Sequence, residues 1–301
     1  MKKVKIRKRL FPRPSKHYNP PLFMYGHFLF DCLMPDILNE CYRFDVIYRP
    51  DSLRETIGQF KPIYEEVLQC TLKEISPYLY HRLDDTIMEV FTDQIQDLST
   101  RLLPSSIITV QKYIFDRYNI QPSLTKIYPK VLLLKRGDHN KCVEDHLREI
   151  NVSQASYLSK KGIEAGWISP CESASNSLVI FKSPAKRRET NYLEQINDLL
   201  NHHFKDCFER VVLEDLPFSE QVNYFKHAKL IVGCHGAGFT NLLFSQKGTT
   251  MLEIKPTTLK WSDFDVICRK LDMKYRFTYE HSDVLRAVET EVQQLKKEIL
   301  K

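Results

Sequence analysis

No stretch of the 301-residue chain keeps apolar residues together for the ~18 to 20 positions a membrane-crossing helix needs, which excludes a helical bilayer span. The basic segment Met1 to Leu10 has no apolar stretch behind it, so the sequence is read as lacking a secretory signal. Internal repeats and low-complexity tracts are also missing, which excludes solenoid and linker-like architectures. Eight cysteines are present, but they form no C-x-x-C pair and no zinc-type spacing. Several of them fall within apolar segments, as small buried hydrophobes do, which favours a reducing compartment and leaves a luminal one open. The glycosylation triplet Asn151-Val152-Ser153 has meaning only in the second case.

What remains is an ordinary globular composition, 43% apolar and 11% aromatic, in a chain long enough for one large or two ordinary domains. The net charge of +6 traces to the amino terminus, where Lys2, Lys3, Lys5, Arg7, Lys8 and Arg9 precede the first acid, Asp31. The rest of the chain is balanced. Residues 1–20 are therefore read as a basic, poorly ordered tail capable of weak membrane-surface contact, and nucleic acid is not expected as a partner.

From about Lys130 onward, short apolar strands alternate with amphipathic helices. Val131 to Leu134, Leu178 to Phe181, Val211 to Leu213, Leu230 to Val232 and Met251 to Ile254 read as strands. Helical spacing recurs in Leu193, Ile196, Leu200 and Phe204, in Phe264, Ile267, Cys268 and Leu271, and in Val284, Val288, Val292, Leu295 and Ile299. This alternation predicts an α/β fold with a parallel sheet covered on both faces. Residues 137–176 break the rhythm and read as an insertion. The first 125 residues form a separate, mainly helical unit, with a strand at Phe44 to Tyr48 and a helical stretch from Pro62 through Ile75. A linker containing Pro122 and Pro129 leads to the second domain, 126–301.

The most informative segment runs from Leu230 to Phe244, where an apolar strand breaks at His235-Gly236-Ala237-Gly238 and resumes as a helix. Backbone N–H groups at a helix start have no partner within the helix, and the peptide dipoles make that end partly positive, so an anion such as a nucleotide diphosphate fits there. Phe239, Thr240 and Asn241 stand where a dinucleotide fingerprint would place its third glycine, so the turn is not that motif. Glu253 ends a later strand at the edge where open α/β sheets bind ligands, and a carboxylate there can accept both hydroxyls of a ribose.

With Glu220-Gln221-Val222 before it and Leu252-Glu253-Ile254-Lys255-Pro256 after it, this block resembles the family 61 glycosyltransferases, among them O-linked N-acetylglucosamine and xylose transferases and bacterial and viral relatives. A second match is Tyr25-Gly26-His27-Phe28-Leu29-Phe30-Asp31-Cys32-Leu33-Met34-Pro35, similar to that family's amino-terminal H-x-x-x-D-x-x-P segment. The resemblance implies a GT-B architecture, two Rossmann-like domains facing across a cleft, with an acceptor-side amino-terminal domain and a donor-side carboxyl-terminal domain. It implies an inverting enzyme that moves a sugar from a nucleotide-sugar donor, UDP-linked by the same likeness, to a glycan or glycoprotein acceptor, with no other cofactor. In this reading His27, four residues from Asp31 and so on one helical face with it, deprotonates the acceptor. The donor is held by His235, Gly236, Ala237, Gly238, Asn241 and Glu253.

The family's phosphate-binding arginines have two partial counterparts here. Arg136 follows the strand Leu132 to Leu134, while Arg187 and Arg188 precede Asn191, and either set can neutralise a diphosphate. Asp263-Phe264-Asp265 imitates a D-x-D metal motif but follows Ser262 at a helix start, where acids need no metal to explain them. The expectation is accordingly metal-independent transfer in the cytoplasm, that of a host if the source is viral. A serine hydrolase would need a G-x-S-x-G elbow, and the glycines at that spacing, Gly162 and Gly166, enclose Glu164. The alternative that survives is a non-catalytic nucleotide-sugar-binding protein of the same fold.

Overall fold

The computed structural model describes residues 4–6, 25–50, 57, 60–75, 89–90, 103–120, 127–136, 190–260, 262–281 and 283–299. The expected strand at Leu178 to Phe181, the insertion at 137–176, and Arg187 and Arg188 lie outside the described residues. The chain divides into two compact units, one assigned Met1–Arg117 and Asn140–Ser183, the other Tyr118–His139 and Pro184–Lys301. Among the described residues, no helix is long and apolar enough to cross a membrane.

In the first unit, strands β1 (Val4–Ile6), β2 (Val46–Pro50), β3 (Thr71–Ile75) and β4 (Glu89–Val90) form a parallel sheet in the order β3-β2-β1-β4. This is the order of one half of a doubly wound sheet. Val4–Ile6 pairs with β2 on one side and β4 on the other, so part of the segment expected to be a solvated tail is built into the sheet. The helical stretch expected through Ile75 ends sooner. Helix α3 (Lys61–Leu68) closes at Gln69, whose φ of 53° is left-handed, and Thr71–Ile75 then runs as a strand. The physical reason is the change of period, because Tyr64, Val67 and Leu68 repeat as a helix whereas Leu72 is buried between exposed Thr71 and Lys73.

Between β1 and β2 the chain passes through α1 (Tyr25–His27), a π-helical segment (Phe28–Leu33) and α2 (Met34–Leu38). Phe28, Leu29, Cys32, Leu33 and Met34 are buried, and Phe28 stacks on Phe60 with centroids 4.8 Å apart. Helix α4 (Pro104–Arg117) buries Ile107, Val110 and Ile114, and the Tyr113 hydroxyl donates to the Val67 carbonyl.

The second unit holds β5 (Val131–Lys135), β6 (Phe208–Val212), β7 (Leu230–Cys234), β8 (Thr250–Lys255) and β9 (Lys274–Tyr279), all parallel, in the order β6-β5-β7-β8-β9. Strand β6 starts at Phe208, earlier than expected, and Leu213 falls in the 3-10 turn that follows it. One sheet face is covered by α5 (Leu193–Phe204) and α8 (Val284–Ile299), whose Leu193, Ile196, Leu200, Val284, Val288 and Val292 pack on Val131, Leu133, Leu230, Val232, Leu252 and Ile254. Each such side chain is worth roughly 1.5–3 kcal/mol relative to exposure. Helices α6 (Phe218–His227) and α7 (Asp263–Lys270) serve the other face, together with a 3-10 segment, Ala237–Phe244. The expected helix after the glycine turn is therefore 3-10, and its tighter geometry suits a stretch buried from Phe239 to Phe244.

Candidate functional site

In chain order the second sheet reads 2-1-3-4-5, and the direction of winding reverses between β5 and β7. In such sheets ligands bind beyond the carboxyl ends of the strands at that reversal. Two of the expected site elements flank it. Arg136 follows β5 directly and is half-buried, and His235-Gly236 follows β7, whose Gly233 is in register with Leu134 of β5. Thr190 lies beside the end of β7, its N–H donating to Cys234 Sγ at 3.3 Å, and the Asn191 N–H donates to Glu280 Oε1 at 3.4 Å.

The turn itself has an unfilled donor set. Phe239 N–H bonds the Gly236 carbonyl at 3.1 Å and His235 N–H bonds the Ile254 carbonyl at 2.9 Å. The N–H groups of Gly236, Ala237 and Gly238 make no hydrogen bond among the described residues. Gly236 is extended (φ −179°, ψ 167°), and a Cβ there would meet nothing closer than the Cys234 carbonyl at 3.7 Å. Gly233, by contrast, is required for packing, since a Cβ would lie 3.0 Å from Leu134 Cβ and 3.2 Å from Phe239 Cζ.

Glu253 is buried and held on several sides. Its side chain is 0% exposed, His235 Nδ1 lies 2.5 Å from Oε1, Tyr275 OH donates to Oε2 at 2.5 Å, and Ser262 Oγ donates to Oε1 at 3.2 Å. This buried carboxylate is bound by three neighbours, as buried polar groups generally are, and it anchors the His235 ring. Burial, and after it the hydrogen bond to Glu253, pushes the Tyr275 hydroxyl far above its ordinary value, so it remains a donor. The His235 ring is also tilted against Phe264, centroids 5.4 Å apart, and its side chain is 20% exposed. With Nδ1 committed inward, Nε2 is the nitrogen left to meet a ligand.

Asn241 is 0% exposed and its Nδ2 donates to Gln221 Oε1 at 3.1 Å, while Gln221 Nε2 donates to the Leu216 carbonyl at 3.1 Å. Gln221 thus ties the 3-10 segment to the loop after β6. Asp263 and Asp265 open α7, where Ser262 Oγ accepts the Phe264 N–H and Asp265 pairs with Arg269 at 3.1 Å. Among the described residues, no group of three or more His, Cys, Asp or Glu side chains is arranged to hold a metal ion.

His27 closes α1, and Asp31 lies in the π-helical segment and is half-buried. The π geometry was not foreseen, although single π turns inside helices gather at functional sites. Tyr275 and Ser262 were also missed. Ser262 is legible as a helix cap, whereas nothing local in the sequence pairs Tyr275 with Glu253.

The strand orders define an α/β protein with two parallel sheets, the second of which reverses its winding beside the glycine turn. Residues 25–252 match the family description Glycosyltransferase 61, and the chain belongs to that family, so its activity class is glycosyl transfer. Comparison with curated proteins finds no match. The matched span includes His27, Asp31, Arg136, His235 and the glycine turn, and it stops one residue before Glu253.

Proposed function

We propose that the protein is an inverting, metal-independent glycosyltransferase of GT-B type that uses a UDP-linked sugar. The observation that carries this reading is the convergence, at the reversal between β5 and β7, of Arg136, His235 and three unbonded backbone N–H groups. These groups offer positive charge and fixed donors to a leaving diphosphate, work otherwise done by a divalent ion. Either Arg136 or the Arg187/Arg188 pair completes the grip. Glu253 holds His235 by Nδ1, which leaves Nε2 to face a phosphate oxygen.

On the acceptor side, His27, oriented by Asp31, takes the hydroxyl proton. The acceptor oxygen bonds to the anomeric carbon from the face opposite the nucleotide, the bond from that carbon to the β-phosphate oxygen breaks, and UDP departs with the electron pair. Configuration inverts. The test is a screen of UDP-sugars for donor hydrolysis and transfer in excess chelator. Turnover of one donor supports the reading, while saturable UDP binding without turnover of any of them points to the binding-only alternative.

A further inference from the structure

Strand β9, at the edge of the second sheet, places Tyr275, Phe277 and Tyr279 on one face, beyond the residues that match the family. Tyr275 stacks on Phe277 at 28° with centroids 5.9 Å apart, and Phe277 meets Tyr279 edge-on at 5.6 Å. Lys255 Nζ lies 4.5 Å from the Phe277 centroid and 5.5 Å from that of Tyr279, although Lys255 as a whole is only 2% exposed. Phe277 itself is 49% exposed.

A lone exposed apolar residue is ordinary on a protein surface. Leu103, Ile108 and Ile127 are also exposed, but they are aliphatic and belong to other elements. Phe277 differs in two respects. Its ring is braced by two tyrosines and a cation, so its orientation is fixed before any ligand arrives. It is also part of the site's own framework, because the tyrosine stacked on it holds Glu253, which holds His235. Glu253 and Lys255 share a face of β8, and their register partners on β9 are Phe277 and Tyr279.

We infer that Phe277, braced by Lys255, Tyr275 and Tyr279, is a stacking platform for the apolar face of a sugar ring. A pyranose presents C–H groups on its faces and hydroxyls around its rim. An exposed ring set among tyrosine hydroxyls and an ammonium offers apolar area at the centre and polar partners at the edge. A nucleobase, by contrast, is read along its edge by amide and backbone groups, whereas Phe277 is flanked by two tyrosine rings and a lysine. The inference rests on the glycosyltransferase reading, and the ring can belong to the donor sugar or to an acceptor glycan.

The experiment uses the full chain as wild type, Phe277→Ala and Phe277→Trp. Calorimetry measures affinities for UDP, UDP-N-acetylglucosamine and UDP-xylose, and a glycan array measures binding of free oligosaccharides. Phe277→Ala is expected to leave UDP affinity within about twofold and to lose roughly tenfold in one arm, the added affinity of a UDP-sugar over UDP or the array signal. The arm that falls identifies the source of the ring. Phe277→Trp, which keeps a stacking surface and the edge strand, retains both. A proportional loss of UDP affinity would make Phe277 a base platform and overturn the inference, as would two unchanged arms. If wild type binds no UDP, the donor assignment falls, while the array arm still decides the platform.

Discussion

His235 Nδ1 lies 2.5 Å from Oε1 of Glu253, a carboxylate with no exposed surface that also accepts hydrogen bonds from Tyr275 and Ser262. In the proposed function Glu253 acts on the ligand through His235. Glu253→Gln keeps the shape and removes the charge, and it is expected to lower UDP affinity by roughly 10- to 100-fold, the worth of a charge-assisted bond. In a His235→Ala background the same change adds little. Additive losses in that double-mutant cycle, measured by calorimetry, contradict the coupling.

Two glycines three residues apart separate folding from binding. Gly236→Ala has room for its methyl group and an extended backbone that any residue adopts, so the unfolding midpoint stays put while UDP affinity drops, because the methyl group crowds the N–H groups that meet the ligand. Gly233→Ala forces β7 against Leu134 and Phe239 and is expected to destabilise by about 1–3 kcal/mol. Thermal unfolding with and without UDP distinguishes the two.

Asn241→Ala removes the hydrogen bond to Gln221 Oε1 and with it a tie to the 3-10 segment. A loss of about 1–3 kcal/mol in stability is expected. UDP affinity of the folded fraction changes little. A selective loss of UDP affinity at unchanged stability would make Asn241 a donor contact.

Alkaline pH weakens the fold. Burial, then Asp265 and Glu253, raise the Cys268 thiol from 9.0 to about 12, and burial, then Asp36 and Glu65, do the same for Cys70. From about pH 9 the unfolded chain releases protons that the folded chain keeps, so stability is full below that pH and declines as pH rises toward 12. Urea midpoints at pH 8 and pH 10.5 check this. A lower midpoint at pH 10.5 is expected, with a smaller drop in Cys268→Ala.

Much of the second unit is legible because its residues repeat cleanly. Val284, Val288 and Val292 announce α8, and three apolar residues in a row mark β7. Strand β9 is missed although Tyr275, Phe277 and Tyr279 alternate along it, because charged and polar residues stand between these rings and only Thr278 is buried. Val4–Ile6 is hidden by its charged neighbours, and its pairing partners lie some forty and more than eighty residues away. At the site, residue types were readable but their partners were not. Glu253 looks like a ligand group in sequence because nothing local reveals that His235, Ser262 and Tyr275 already occupy it.

The most direct test of the central claim, a nucleoside diphosphate gripped at the edge of β5 and β7 without metal, is a calorimetric titration of UDP in excess chelator. It compares wild type, His27→Ala and His235→Ala. The account predicts saturable binding to wild type, unchanged affinity in His27→Ala despite lost transfer, and affinity at least about tenfold weaker in His235→Ala. Binding that requires a divalent ion, or that is untouched by His235→Ala, contradicts it.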